Sequence, residues 1–367
     1  MTTATMARFA LGQKNHWRDI LTREWLLLVS LAGWMGTSLY VGHRPTYTVR
    51  EWQVLYILFL LFLITTGLKH AGAFTYVARR LERGHHVAWK LTLFTIFLAM
   101  WVTNDVALLI VVPLTMNMRL PHKARLVTLE ALAANVGAAL TPFGTPQNLF
   151  IYWFYQIPPA AFLQTIAPFV GTFTLALGFV AWYLKLPSPT VEEEDLPRWT
   201  RRATVHLLWL GILVLMILHQ LPLYVGLLPL AYVALFDRSS LQVDYALLVT
   251  FFCFFGMTDN LSQVMGGWLG TSKHVFLEAV LLSQVLSNVP ATLLLVHHVS
   301  DWAALLWGVN VGGFGSLIGS LANVIAYRIY TSEEKGGRRE FLMTFSAFSY
   351  AALGAGILLY LGMRYGL

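Results

Sequence analysis

The sequence of 367 residues carries little charge and almost no cysteine. Asp, Glu, Lys and Arg make up 12% of the residues, about half the share found in soluble domains, while 57% are apolar. A soluble protein of this length would need much more charged surface to cover its domains. The composition therefore excludes an ordinary soluble enzyme and predicts an all-α, multi-pass protein of the cell membrane.

The single cysteine, Cys253, excludes an internal disulfide and a cluster of thiolate metal ligands. No His-Glu-x-x-His or comparable motif occurs, so we expect no catalytic residues, no bound metal and no cofactor. The net charge is +7, but Lys and Arg fall in short clusters between apolar runs, which argues against nucleic-acid binding. The first 24 residues lack an apolar signal-peptide core, so the first span is expected to insert directly.

Two apolar runs, 88–118 and 274–299, are interrupted by the polar stretches Thr103-Asn104-Asp105 and Ser287-Asn288. Each interruption predicts a re-entrant helical hairpin that returns to its starting side. About nine transmembrane crossings then remain, with the N-terminus inside and the C-terminus outside. This topology places 21 of the 25 Lys and Arg residues inside, in agreement with the positive-inside rule.

An internal repeat relates the two halves of the chain. Asn135-Val136-Gly137 and Gly144-Thr145-Pro146-Gln147-Asn148 recur 175 residues later as Asn310-Val311-Gly312 and Gly319-Ser320-Leu321-Ala322-Asn323. We expect a first repeat at 1–184 with a broken helix at 124–152, a cytoplasmic linker at 185–202, and a second repeat at 203–367 with a broken helix at 302–328. The crossing at 203–219 has no counterpart in the first half, so it inverts the second repeat in the membrane.

The hairpin tips and helix breaks expose backbone groups that cannot face lipid, so we expect them to converge on a polar site near the bilayer midplane. Half-helix N-termini can hold an anionic group, while carbonyls and Asn side chains can coordinate a small cation. Asn135 and Asn310 fit either substrate contact or interhelical hydrogen bonding. The candidate substrate ligands are Thr103, Asn104, Thr145, Asn148, Ser287, Asn288, Ser320 and Asn323. The candidate backbone breaks are Gly144, Pro146, Pro290 and Gly319.

Asp105 is the one acidic residue at a predicted helix break. An ionised carboxylate at that depth costs about 3 kcal/mol or more unless it is solvated or paired. Its counterpart in the second hairpin is Val289, so the hairpin fold does not require a carboxylate. We interpret Asp105 as the site of ion coupling, together with Asn104, Asn148, Asn288 and Asn323, and the coupling ion as H⁺ or alternatively Na⁺.

The motifs at 103–105, 144–148, 287–290 and 319–323 resemble, as a set, the ion transporter superfamily, which includes the arsenite efflux membrane subunit, citrate carriers and divalent anion:sodium symporters. The resemblance covers nearly the whole chain beyond about residue 25. It implies a secondary transporter with inverted repeats. It also implies a homodimer in which the hairpins and broken helices move by an elevator motion against a scaffold.

The dicarboxylate symporters usually carry Ser-Asn-Thr at both hairpin tips. This chain departs from that pattern at two positions, Asp105 and Val289. Its Asn-Asp tip is more similar to the arsenite and silicic acid efflux branch. That similarity implies proton-coupled efflux of a small inorganic oxyacid, metalloid or anion. Sodium-coupled symport of a di- or tricarboxylate is the alternative, and a membrane-embedded enzyme or a passive channel is less favoured.

Overall fold

The computed structural model describes residues 25–74, 76–77, 86–118, 120–184, 199–265 and 274–366. Within these residues the chain is 82% helical and has no β-strand, which confirms the predicted all-α fold class. Most of the predicted linker at 185–202 lies outside the described residues.

Fifteen α-helices lie in the described part of the chain. They are α1 (Trp25–Val41), α2 (Val49–His70), α3 (Val87–Trp101), α4 (Asn104–Asn117), α5 (Lys123–Ala139), α6 (Pro146–Phe154), α7 (Pro159–Tyr183), α8 (Arg201–Ile217), α9 (Leu227–Phe236), α10 (Tyr245–Met265), α11 (Val275–Leu286), α12 (Asn288–Val296), α13 (Trp302–Val311), α14 (Leu321–Glu333) and α15 (Arg338–Tyr365). Short 3₁₀ turns occur at Leu223–Gly226, Arg238–Leu241 and Leu317–Gly319.

Four of the described helical segments are long and apolar enough to cross a membrane: Val49–His70, Pro159–Tyr183, Arg238–Leu261 and Arg338–Tyr365. They support a polytopic membrane protein. The apolar run at 222–236 forms a 3₁₀ turn followed by α9, which has 10 residues. A helix needs about 20 residues to cross the hydrocarbon core, so this run does not form a full-length spanning helix.

Both predicted hairpins contain two helices separated by a tight turn. The first turn ends at Thr103, whose hydroxyl accepts a hydrogen bond from the backbone N–H of Val106 at 3.4 Å and so caps α4. The second turn is the single residue Ser287, which has a φ of 76° and no capping hydrogen bond. A non-glycine residue in that region stores about 1–3 kcal/mol of backbone strain. The two tips therefore differ in their local stability.

The two predicted helix breaks are also present. The first separates α5 from α6 and the second separates α13 from α14. Pro146 is the first residue of α6, where its missing N–H leaves no hydrogen bond unmade. Asn148 and Asn323 are each the third residue of the half-helix that follows the break, so their side chains lie beside it.

The helices pack into two groups that draw on both halves of the sequence. Helices α3–α7 pack with α11–α15 into what we call the hairpin body, and α1, α2, α8, α9 and α10 form what we call the frame. The two groups meet where α2 contacts α6 and where α10 contacts α12. Each half contributes two helices, a hairpin, a broken helix and a last helix in the same order, with α8 between the halves.

A buried polar cluster holds the frame together at the end of α9. His206 of α8 is completely buried, and its Nε2 lies 2.8 Å from Oδ2 of Asp237. The hydroxyls of Ser239 and Ser240 donate to the same carboxylate at 2.6 and 2.9 Å. Burial disfavours the charged carboxylate, but these hydrogen bonds outweigh it and hold the pKa of Asp237 below its usual value.

Replacing Asp237 by Asn is therefore expected to destabilise the frame by about 1–3 kcal/mol, because His206 loses its charged partner. Asp244→Asn is a matched control, since Asp244 is exposed and its carboxylate caps α10 at the backbone N–H of Leu247, a role that Asn can also fill. Thermal unfolding in detergent measures the difference. Because the pKa of Asp237 is lowered on folding, its contribution should be lost as pH falls through that value. Equal midpoints for the two variants at neutral pH would contradict the prediction.

Candidate functional site

The first hairpin tip is joined to both broken helices by buried side-chain amides. Asn104 Nδ2 donates to Asn135 Oδ1 at 3.0 Å, and Asn135 Nδ2 donates to Asn323 Oδ1 at 2.9 Å. The hydroxyl of Ser320 also donates to Asn135 Oδ1, at 2.9 Å. The backbone N–H of Asn104 donates to the carbonyl of Gly144 at 3.2 Å. Asn135 is thus the centre of a network that connects the two halves of the chain.

The same hydrogen bonds occur in both halves at the offset of the sequence repeat. Asn135 donates to Asn323, and Asn310 donates to Asn148 at 2.9 Å. Asn148 Nδ2 lies 3.4 Å from the carbonyl of Ala138, and Asn323 Nδ2 lies 2.9 Å from that of Gly313. Each pair of equivalent residues is 175 positions apart. Asn135 and Asn310 therefore act as interhelical hydrogen-bond donors in equivalent places.

The second tip lies next to this network but is not bound to it by its side chains. A Cβ added at Gly313 would lie 3.4 Å from Asn288 Nδ2. Within the described residues, the Ser287 hydroxyl and the Asn288 carboxamide make no hydrogen bond, and both residues are at most 9% exposed. Their hydrogen-bonding capacity is therefore not used by the described residues.

An open cavity of about 650 Å³ lies between the hairpin body and the frame. Thr103 and Asp105 of the first tip line it, together with Leu321 and Ile325 of α14. The facing wall comes from the end of α2, the segment before α10 and the start of α10. Outside the tip, the charged or titratable residues of the cavity are Lys69, His70, Asp244, Tyr245 and Arg328. The first tip is therefore accessible from one end of the molecule.

Asp105 is the carboxylate of this cavity that lacks a partner. Its backbone N–H is bonded to Asn104 Oδ1 at 3.0 Å, whereas its buried Oδ1 accepts no hydrogen bond from the described residues. It stands in the first turn of α4, where the partial positive charge of the helix N-terminus favours a negative group. This placement combines access from the cavity with incomplete solvation, which a proton or a cation could relieve.

The remaining candidates support the backbone of the site. The Thr145 hydroxyl caps α6 by accepting from the backbone N–H of Asn148 at 3.3 Å. Asn148 and Asn323 are completely buried, with their amides bonded inside the protein. Gly144 and Gly319 each lie close to a backbone carbonyl oxygen. A Cβ added at Gly144 would lie 2.2 Å from the carbonyl oxygen of Ala138, and a Cβ added at Gly319 would lie 2.8 Å from the carbonyl oxygen of Gly312. Pro290 lies in the first turn of α12 rather than at the tip itself.

Sequence reasoning did not single out Gln284 or Asp244. Gln284 Nε2 donates to the carbonyls of Gly312 and Phe314 at 2.8 and 3.0 Å, and its Oε1 accepts from the backbone N–H of Ser316 at 2.7 Å. It thereby satisfies the backbone groups that the second break leaves open. A polar residue one turn before a predicted tip was the available signal. No local feature of the sequence pointed to Asp244. Its position across the cavity from Asp105 depends on how the frame packs against the hairpin body.

Comparison with known proteins gives one consistent result. Residues 21–307 match the family model described as citrate transporter. The inner membrane protein YbiR of Escherichia coli is 36% identical over 82% of this chain and 86% of its own length, and an uncharacterized transporter of Methanocaldococcus jannaschii is 31% identical over 81% and 86%. The silicon efflux transporter LSI3 of Oryza sativa is 31% identical over 35% of this chain and 28% of its own length. The chain therefore belongs to the citrate transporter family, within the ion transporter superfamily.

Proposed function

We propose that this protein is a secondary active transporter that exports a small inorganic oxyacid, metalloid or anion in exchange for protons. The observation that carries the proposal is the unpartnered carboxylate of Asp105 on the wall of the open cavity. Such a group can bind a proton from one side of the membrane and release it on the other. Exchange requires that proton and substrate oppose each other's binding, and a single site that both ligands share provides this coupling.

The proposed topology has about nine crossings, two inverted repeats, an inner N-terminus and an outer C-terminus. One of these crossings is made by the 3₁₀ turn Leu223–Gly226 together with the short helix α9, and not by one long helix. The matching element order and the repeated hydrogen bonds of Asn135 and Asn310 support the repeat. The distribution of Lys and Arg supports the orientation. In this topology the cavity opens to the cytoplasm, because Lys69 and Arg328, which line it, belong to the basic clusters on the inner side.

The hairpin body moves against the frame as an elevator, in a homodimer. The grouping of both hairpins with both broken helices in one packed body supports this motion. Ser287 and Asn288 offer the substrate a hydroxyl and a carboxamide that the described residues leave unused. Thr103, Asn104, Ser320 and Asn323 complete the site from the side of the first tip, and Thr145 and Asn148 hold α6 in place.

A second candidate function is sodium-coupled symport of a di- or tricarboxylate. The description of the matching family, citrate transporter, favours it. The silicon efflux activity in the name of the Oryza sativa relative instead favours an uncharged hydroxylated substrate. In the carboxylate alternative, Asp105 is a sodium ligand and the anionic substrate is held at the second tip. The two functions therefore differ in what Asp105 binds.

The Asp105→Asn variant distinguishes them. It keeps the shape of the tip but cannot bind and release a proton, so flux driven by a pH gradient should be abolished while substrate exchange without a gradient persists. The measurement uses proteoliposomes in sodium-free buffer with radiolabelled arsenite, silicate, borate, phosphate and citrate. Asp244→Asn removes the same charge from the facing wall and is expected to retain proton-driven flux.

Strong proton-driven flux in the Asp105→Asn variant would remove Asp105 from the proton role. Wild-type flux of citrate that requires sodium and not a pH gradient would establish the carboxylate function instead. In that case Asp105→Asn should weaken sodium binding. Transport would not depend on a pH gradient in either the wild type or the variant.

A further inference from the structure

The half-helices α6 and α14 hold equivalent places in the two halves, yet they meet the frame differently. α6 packs directly against α2 of the frame. Between α14 and α2 lies the open cavity, whose walls include Leu321 and Ile325 on one side and Thr65 and Thr66 on the other. The molecule is therefore closed at the end where α6 lies and open at the end where α14 lies.

Arg50 of α2 closes the α6 end from the frame. Its Nη1 donates a hydrogen bond of 2.7 Å to the carbonyl oxygen of Phe154, the last residue of α6. Its guanidinium also lies 5.7 Å from the centre of the Phe154 ring. A cation at a helix C-terminus is favourable because the last carbonyls carry partial negative charge. Arg50 thus contacts both the last carbonyl of α6 and the aromatic ring of Phe154.

His219 adds a second contact from the turn after α8. Its ring stacks on Tyr152 at 5.6 Å between centroids and lies 4.3 Å from the ring of Trp153. Both aromatic residues belong to α6 and are nearly completely buried. Deeper in the same interface, Phe150 of α6 stacks on Phe255 of α10 at 5.1 Å. The frame therefore holds α6 at its end and along one face.

The end of α6 that Arg50 contacts also packs against the end of the second hairpin. The hydroxyl oxygen of Tyr155, directly after α6, lies 2.9 and 2.6 Å from the carbonyl oxygens of Val296 and Val299, so its single hydrogen is donated to one of them or shared between them. Phe154 also packs edge-on against His297 at 4.9 Å. Since α6 and the end of α12 are tied together in this way, holding α6 also holds the second hairpin against the frame.

We propose that Arg50 and His219 form an outer latch, which keeps the extracellular end closed while the cytoplasmic cavity is open and must release before the substrate can leave outward. The assignment of the two ends rests on the proposed function and its topology. The latch acts through α6 and touches no substrate, so Arg50 and His219 are positioning residues.

Cysteine accessibility in detergent tests the latch independently of transport and of membrane orientation. In a Cys253→Ala background, the reporter Phe255→Cys should be labelled slowly by a hydrophilic maleimide, because position 255 is 3% exposed. Arg50→Ala is expected to raise its labelling rate about tenfold, the effect of losing one hydrogen bond to a charged group. A second reporter, Ile325→Cys in the open cavity, should be labelled more slowly in the same variant.

Arg44→Ala is the matched control, since Arg44 is also an exposed arginine at this end of the chain, and it should leave both rates unchanged. Arg50→Lys keeps a charged donor and should restore most of the wild-type rate, whereas His219→Ala should raise it. Unchanged labelling of Phe255→Cys in both Arg50→Ala and His219→Ala would overturn the latch. Because the assay needs no substrate, that failure would be distinct from a failure of proton-driven transport.

Discussion

Replacing Asn135 by Leu is expected to slow transport by about 100-fold while the protein still inserts and folds. The substitution conserves volume but removes the group that holds the first tip to the second broken helix. Asn104, Ser320 and Asn323 each lose a buried hydrogen-bond partner, and each loss costs about 1–3 kcal/mol. Flux in proteoliposomes, normalised to the monodisperse protein recovered, measures the effect.

Asn260→Leu is the matched control for this prediction. Asn260 is also completely buried, but it bonds to Thr37 and Ser38 within the frame, at 3.1 and 2.9 Å. Its replacement should lower stability and leave most of the transport rate. A double variant of Asn135 and Asn323 should be less impaired than the sum of the single variants, because both lose the same bond. A normal transport rate in Asn135→Leu would show that the network is not needed for function.

Replacing Gly137 by Ala is expected to prevent the first hairpin from packing on α5. A Cβ at this position would lie 2.0 Å from the carbonyl oxygen of Ile96 in α3, and the obstacle is backbone that cannot rotate away. Overpacking of a close helix contact typically costs 1–3 kcal/mol, and a backbone clash of this depth should reach about 3 kcal/mol or more. Thermal unfolding and the yield of folded protein provide the measurement.

The control is Gly171→Ala in α7, where no atom lies within 4 Å of the added Cβ. That variant should unfold at the wild-type temperature or slightly above it, because Ala favours a helix over Gly by about 1 kcal/mol. If Gly137→Ala instead unfolds with the wild-type midpoint and transports normally, α3 and α5 do not pack as described.

The sequence predicted the local elements of the site with their positions. The structure shows that Thr103 and Thr145, which were proposed as substrate ligands, cap helices, and that Pro146, a proposed backbone break, begins one. Asp105 was singled out because a lone carboxylate in an apolar run is costly, and it does lie unpartnered on the cavity wall. The role of each candidate ligand stays a prediction that the proposed flux measurements address.

Composition and local turn signals specify the membrane class and the four positions at which apolar runs are interrupted, so these features could be predicted from the residues alone. Which distant groups meet depends on the packing of the helices: Asn135 bonds to Asn323 in the other half of the chain, and Arg50 bonds to the last carbonyl of α6. These partners are separated by 188 and 104 positions, and the residues themselves carry no local signal of the pairing. The amide pairing follows from how the helices pack, because each amide must find a partner once it is buried and water is excluded. Arg50 is exposed, and it reaches Phe154 because α2 packs against α6.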